Sequence, residues 1–205
     1  LGATLTNSQG TAATTINPEI NQGIAALGAS ARNNPLASRQ IDSTFTKGIF
    51  YITHKRRIFD SSLFTITSKS QIASKKLAPQ EGFNLGGMNS VRGYPSSDFI
   101  ADYATAGSVE LQVPFYGFPR FIALPYDSGS LAENIKPICF IDYGWGKKLG
   151  AASSERDTST LISAGLGFRT KLYNQITIRT DWGFPLGGYL PKTDSCRSKF
   201  HFAVD

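Results

Sequence analysis

A glycine-rich stretch around one arginine is the part of the sequence best suited to a specific chemical interaction. Arg92 lies in the string Phe-Asn-Leu-Gly-Gly-Met-Asn-Ser-Val-Arg-Gly-Tyr, residues 83–94. Gly86 and Gly87 permit a tight reversal of the chain, and Gly93 permits a sharp turn directly after the arginine. We therefore predict a loop that presents a guanidinium group at its tip. Such a group can bind a carboxylate through two parallel hydrogen bonds.

Two acidic residues lie on stretches that alternate between polar and apolar side chains, which is the pattern of a β-strand. Glu110 is on the polar side of the strand predicted directly after the loop. Asp142 lies on a strand predicted over residues 135–147, on the same side as Phe140 and Gly144. The opposite side of that strand is apolar: Cys139, Ile141, Tyr143 and Trp145.

The whole chain is predicted to be all-β, with about eight strands. We expect a strand end within residues 1–8 and strands over 42–57, 63–73, 107–115, 135–147, 159–172, 175–184 and 199–205. The connections alternate between long and short, with residues 9–40 predicted to be a long mobile loop. Long loops at one end and short turns at the other are typical of a transmembrane antiparallel β-barrel, whereas a soluble β-sandwich has mixed loop lengths.

In such a barrel one face of each strand contacts lipid and the other lines the lumen. Glu110, Gln112, Arg169 and Asp181 are predicted to be lumenal. The residues predicted to face lipid are Val109, Leu111, Val113, Ile141, Tyr143, Ile162, Leu166, Phe168, Ile178 and Trp182.

Charge and composition argue against several other classes of protein. The 21 basic and 15 acidic residues give a net charge of +6, but they are scattered, with runs only at 55–57 and 75–76. A nucleic-acid surface would cluster them among aromatic residues. Cys139 and Cys196 are too few for a disulfide framework and are predicted to be unbonded. No catalytic set, phosphate-binding loop or metal-ligand spacing stands out, so we predict neither an enzyme nor a cofactor.

The glycine-rich string and three further motifs resemble the POTRA-plus-barrel superfamily of outer-membrane transporters. The Val-Arg-Gly-Tyr tip, Val91 to Tyr94, is similar to the inward-folded sixth extracellular loop of that superfamily. Phe-x-Asp-x-Gly at 140–144 is similar to its second motif. Residues 179–186 resemble its penultimate strand, and residues 165–169 fit the strand before that. Within the superfamily, the two-partner secretion transporters of the haemolysin-activator type are the most similar.

This resemblance implies that Asp142 pairs with Arg92, and Glu110 could be a second partner. The alternation of their strands puts Arg169, Arg179 and Asp181 on a polar lumen wall, which is the role we expect for them. The resemblance also implies a barrel of sixteen strands, of which this chain is the C-terminal part, with the POTRA domains and the N-terminal half lying outside the sequence. A complete eight-stranded barrel would leave no room for an inward-folded loop.

The implied function is a pore in a bacterial-type outer membrane that translocates a large secreted partner polypeptide. An assembly factor of the same superfamily, which inserts other outer-membrane proteins, is the first alternative. A passive porin or a soluble β-sandwich that binds a ligand is the second. The expected partners are the lipid bilayer and the secreted exoprotein, without nucleic acid or a small-molecule cofactor.

Overall fold

The computed structural model describes residues 1–24, 43–59, 62–115, 134–172, 176–188 and 198–204. Eleven strands are present in these ranges: β1 (Leu5–Gln9), β2 (Ala12–Gln22), β3 (Thr46–Ile58), β4 (Ser62–Ala73), β5 (Phe83–Leu85), β6 (Phe99–Ala101), β7 (Tyr103–Gln112), β8 (Ile135–Lys147), β9 (Thr158–Leu172), β10 (Ile176–Gly188) and β11 (Lys199–Val204). Within the same ranges, no helix has the length and apolar character needed to cross a membrane.

Nine of the strands form one antiparallel sheet in the order β1-β2-β3-β4-β7-β8-β9-β10-β11. Each strand pairs with its neighbour in the chain, except that β4 pairs with β7 across the short β5–β6 hairpin. In the described residues β1 and β11 are the two edges, so the sheet is not closed. The predicted all-β class and the antiparallel arrangement are therefore confirmed.

The prediction of a single long loop over residues 9–40 was wrong for its first part. Residues 12–22 form β2, which pairs along its whole length with β3. The prediction failed because Thr14 and Pro18 lie on the outer side of β2, beside Ile16, and interrupt the apolar alternation. The sheet consequently has nine strands rather than about eight. The remainder of the predicted loop, residues 25–42, lies outside the described residues.

The strand predicted over 107–115 is displaced in the structure. β7 begins at Tyr103 and ends at Gln112. Pro114 has no N–H to donate to a neighbouring strand, which accounts for the earlier end. At its start, the buried Ala104 and Ala106 form a flat surface beneath the loop. Small residues at these positions do not produce the apolar alternation on which the prediction depended.

The two faces of the sheet differ in the way the alternation predicts. On the outer face Ile141, Leu166 and Trp182 are 59, 63 and 52% exposed. On the inner face Asp142 and Asp181 are completely buried. The polar residues are buried because the connection between β4 and β7 folds over the inner face of the sheet.

The hydrophobic core lies between that connection and the sheet. Its members come from the connection, from β7 and from β9: Phe83, Leu85, Val91, Tyr94, Phe99, Ala101, Ala104, Ala106 and Leu161. We call residues 74–102 the inner loop. Its stem is the part that contains β5 and β6, and its tip is the segment 86–95 between them.

Candidate functional site

Glycines give the tip of the inner loop its tight shape. Gly86, Gly87 and Gly93 have φ values of 93, 92 and 98°, a region that other residues rarely adopt. The reversal is closed by a hydrogen bond from the Gly87 N–H to the Tyr94 carbonyl at 3.2 Å. The structure therefore places a sharp turn on each side of Arg92, where the sequence predicts them.

The tip packs against the inner face of the sheet at two glycines, Gly144 and Gly183, which have no side chain to block it. A Cβ atom at Gly144 would approach Cγ2 of Val91 to 2.6 Å. A Cβ atom at Gly183 would approach the backbone nitrogen of Gly93 to 2.4 Å. Both distances are shorter than van der Waals contact, so the tip lies in a groove lined by glycine in β8 and β10.

Arg92 is 4% exposed and forms three hydrogen bonds with Asp142 on β8. Its Nε and Nη2 donate to Oδ2 and Oδ1 at 2.9 and 2.8 Å, the bidentate arrangement of an arginine–carboxylate pair. The backbone N–H of Arg92 also donates to Oδ2, at 2.9 Å. Asp142 therefore fixes both the side chain and the backbone of the tip.

Three further inner-face residues complete the surroundings of the guanidinium. Nη1 donates to Oε2 of Glu110 at 3.0 Å, and Nη2 donates to Oγ of Ser108 at 2.8 Å. The ring of Phe140 lies beneath the guanidinium, 3.4 Å from Cζ to the ring centroid, which favours the cation. Burial alone would lower the pKa of Arg92, but the hydrogen bonds and charge of Asp142 outweigh this and raise the pKa above its ordinary value.

A second arginine binds the same group of carboxylates from the wall. Arg169 on β9 donates through Nη1 to Oδ1 of Asp181 at 2.8 Å and through Nη2 to Oε2 of Glu110 at 2.9 Å. Asp181 Oδ1 lies 3.5 Å from Nη1 of Arg92. We call these five residues, Arg92, Glu110, Asp142, Arg169 and Asp181, the anchor cluster. Three carboxylates and two guanidinium groups leave it one net negative charge.

Tyr94 attaches the far side of the tip to the wall. Its side chain is 1% exposed, and its hydroxyl donates to the carbonyls of Ile162 on β9 and Gly187 on β10. The β9–β10 pairing shifts register between Pro185 and Gly187. The hydroxyl is a hydrogen-bond donor at this irregularity, and burial raises its pKa above the ordinary value, so it remains protonated.

The stem is attached near the ends of the strands, away from the anchor cluster. Nζ of Lys47 donates to the carboxylate of Glu81 at 2.7 Å and to its backbone carbonyl at 3.0 Å. Asp102 accepts from the N–H groups of Leu77 and Leu149 at 2.7 and 2.6 Å. The stem is thus connected both to β3 and to the segment that follows β8.

The predicted site residues fall into two groups in the structure. The anchor cluster unites Arg92, Glu110, Asp142, Arg169 and Asp181, while Phe140, Gly144 and the tip residues surround it. Arg179 lies opposite Arg169 on the neighbouring strand and lines a cavity of about 560 Å³ that Arg92 and Glu110 also line. Cys139 is free and exposed, and its predicted lack of a bond to Cys196 is not tested because Cys196 lies outside the described residues.

Sequence reasoning missed Ser108 and Asp102. Oγ of Ser108 donates to Asp142 at 2.6 Å and also accepts from Arg92. The alternation of β7 puts Ser108 on the side of Glu110, and this signal could have identified it. Asp102 gave no comparable signal, because its partners are backbone groups in segments distant along the chain.

An antiparallel sheet with an exposed apolar outer face and a charged inner face that seats a long loop is the wall of an outer-membrane β-barrel. Among known proteins, the model of the haemolysin secretion/activation proteins ShlB, FhaC and HecB matches residues 1–170. The chain belongs to this family, whose members are β-barrel transporters of the bacterial outer membrane.

Two solved structures share the fold. CdiB from Escherichia coli aligns with a TM-score of 0.73 and 20% identity, over 99% of this chain and 35% of CdiB. CdiB from Acinetobacter baumannii aligns with a TM-score of 0.63 and 18% identity, over 99% of this chain and 32% of CdiB. The chain thus spans about a third of the length of these proteins. No curated protein gives a significant match.

Proposed function

We propose that this chain is the C-terminal part of a sixteen-stranded outer-membrane barrel that translocates a large secreted partner polypeptide. In this account the inner loop lies in the lumen, and Arg92 and Asp142 anchor its tip to the wall. The POTRA domains and the N-terminal half of the barrel belong to the same protein outside this sequence. The proposed functional set has three parts: the tip residues Gly86, Gly87, Val91, Arg92, Gly93 and Tyr94; the wall residues Phe140, Asp142 and Gly144; and the further inner-face residues Glu110, Arg169, Arg179 and Asp181.

The observation that carries the proposal is the buried pairing of Arg92 with Asp142. Ordering a loop of about thirty residues against a wall costs conformational entropy at every residue, which one ion pair does not offset. The pair can nevertheless select one pose, because any other pose leaves a desolvated charge without its partner. A transporter that must keep its lumen in a defined state needs such a selected pose.

The test is secretion by the full-length transporter carrying Arg92→Ala, measured as partner polypeptide released into the medium. We expect normal amounts of inserted barrel, because the hydrogen-bonded wall does not depend on the tip, and a clear loss of released partner. Arg57→Ala is the matched control, since Arg57 is exposed at the turn end of β3. Full secretion by Arg92→Ala at normal barrel levels would overturn the proposed role of the loop.

A conservative variant separates charge from geometry. Arg92→Lys retains the positive charge but loses the planar fork that binds both oxygens of Asp142. We expect it to restore little of the secretion lost in Arg92→Ala. Restoration to the wild-type level would show that a positive charge alone is sufficient at the tip.

A further inference from the structure

We propose that Arg169 is a positioning residue that weakens the attachment of the loop tip and so keeps it releasable. This inference rests on the proposed function, in which Arg92 anchors the tip. Arg169 belongs to the wall and not to the loop, so it stays in place whether or not the tip is seated. It binds two of the three carboxylates that the tip arginine approaches.

The two arginines share individual oxygen atoms of these carboxylates. Oε2 of Glu110 accepts from Arg92 at 3.0 Å and from Arg169 at 2.9 Å. Oδ1 of Asp181 is 2.8 Å from Arg169 but 3.5 Å from Arg92. Asp142, in contrast, is bound by Arg92 and by Ser108. When Arg92 leaves, Glu110 and Asp181 therefore keep a cationic partner, and Asp142 keeps a hydroxyl donor.

The sign of the effect follows from the charges. With Arg169 present, Arg92 faces three carboxylates and one guanidinium group, a net charge of −2. Without Arg169 it faces a net charge of −3, and the repulsion between the two guanidinium groups is also removed. Asp142 and Asp181 are completely buried, so solvent and salt screen these interactions only weakly. Loss of Arg169 should consequently hold the tip more tightly.

A purely structural role for Arg169 predicts the opposite result. If Arg169 only orients Glu110 and Asp181 for Arg92, its removal disorders both acceptors and loosens the tip. The cross-strand neighbours of Arg169 are Lys136 and Arg179, and both remain in the variants below. Arg169→Gln therefore changes one charge, and the direction of the change in tip release separates the two roles.

Ser90 provides the site for a reporter of tip release. Its Oγ is buried and has no hydrogen-bond partner in the described structure, so a cysteine can replace it at little cost. The experiment uses the full-length transporter in lipid vesicles, with Cys139→Ser, Cys196→Ser and Ser90→Cys. The rate of reaction with a soluble maleimide then reports how often the tip leaves the wall.

We expect Arg169→Gln to slow the labelling of Ser90→Cys by roughly threefold or more. Arg169→Lys, which keeps the charge, should label near the parent rate. Arg169→Gln combined with Glu110→Gln restores the charge that Arg92 faces, and it should label faster than Arg169→Gln alone. If Arg169→Gln alone does not insert into the membrane, the double variant still tests the proposal. The double variant should insert and should label near the parent rate.

Unchanged or faster labelling in Arg169→Gln would overturn the proposal, as would a double variant no faster than the single one. A different result would contradict the proposed function: an Arg92→Ala protein in which labelling is not faster and secretion is not reduced. In the Arg92→Ala background, Arg169→Gln should have no further effect on labelling. An equal slowing there would show that Arg169 acts independently of the anchor.

Discussion

The tip and the stem of the inner loop are attached to the same wall by different kinds of contact. At the tip, Arg92 is 5% exposed in its side chain and its partner Asp142 is fully buried. At the stem, the side chain of Lys47 is 10% exposed, but that of its partner Glu81 is 44% exposed. Asp142 lies five residues inside the end of β8, roughly 16 Å along the strand, whereas the stem contacts lie near the strand ends.

The difference in burial determines what each attachment can do. The stem pair should contribute little, because the half-exposed carboxylate of Glu81 can exchange its lysine partner for water at small cost. A buried pair contributes little net stability compared with apolar packing, but separating it is costly because each charge loses its partner. We infer that the stem limits where the inner loop can move, while the tip distinguishes a seated from an unseated state.

Filling the glycine groove should affect the tip most strongly. Gly183→Ala places a Cβ atom 2.4 Å from the backbone nitrogen of Gly93, and backbone on both sides leaves no flexible group to move aside. We expect the tip to be displaced, at a cost of about 1–3 kcal/mol, with secretion reduced as in Arg92→Ala. Maleimide labelling at Ser90→Cys should be faster than in the parent.

Gly48→Ala is the matched control for this substitution. Gly48 also lies within a strand, β3, but its Cβ atom would meet only Ile72 at 3.5 Å, an ordinary contact. Labelling and secretion should therefore equal those of the parent. If the tip of the Gly183→Ala protein is labelled as slowly as that of the parent, the glycine groove does not determine the position of the tip on the wall.

Breaking the stem contact should have the smallest effect. Lys47→Ala removes an ion pair of about 0–1 kcal/mol, because Glu81 can turn to solvent. We expect secretion and Ser90→Cys labelling to stay near the parent level, with only a small decrease in the thermal stability of the inserted barrel. A loss of secretion comparable to that of Arg92→Ala would abolish the distinction between tip and stem.

Strand positions and faces were predictable where the alternation is strong. The bounds of β8 were predicted correctly, because Phe140 and Asp142 alternate with Ile141 and Tyr143 on a strand with one apolar face. β2 was missed because Thr14, Pro18 and Gln22 interrupt the outward side that should be apolar, beside Ile16 and Ile20. Positive φ at the tip was predictable, since only glycine tolerates it freely.

The partners within the site could not be derived from alternation. The alternation along a strand assigns each residue to one face of the sheet. It does not show which residues of two neighbouring strands lie opposite each other. Ser108 lies opposite Asp142 only because of the β7–β8 register, and Arg169 reaches Glu110 from a strand that is not adjacent to β7. The Arg92–Asp142 pairing was expected from resemblance to a family, and its role in secretion stays a prediction.

A double-mutant cycle on Arg92 and Asp142 tests the central claim most directly. Secretion is measured for the parent, Arg92→Ala, Asp142→Ala and the double variant, at matched amounts of inserted barrel. If the two residues act as one anchor, either single change removes the selected pose, and the double variant should secrete about as much as either single variant. Losses that multiply in the double variant would show that the residues act independently, and this would contradict the account.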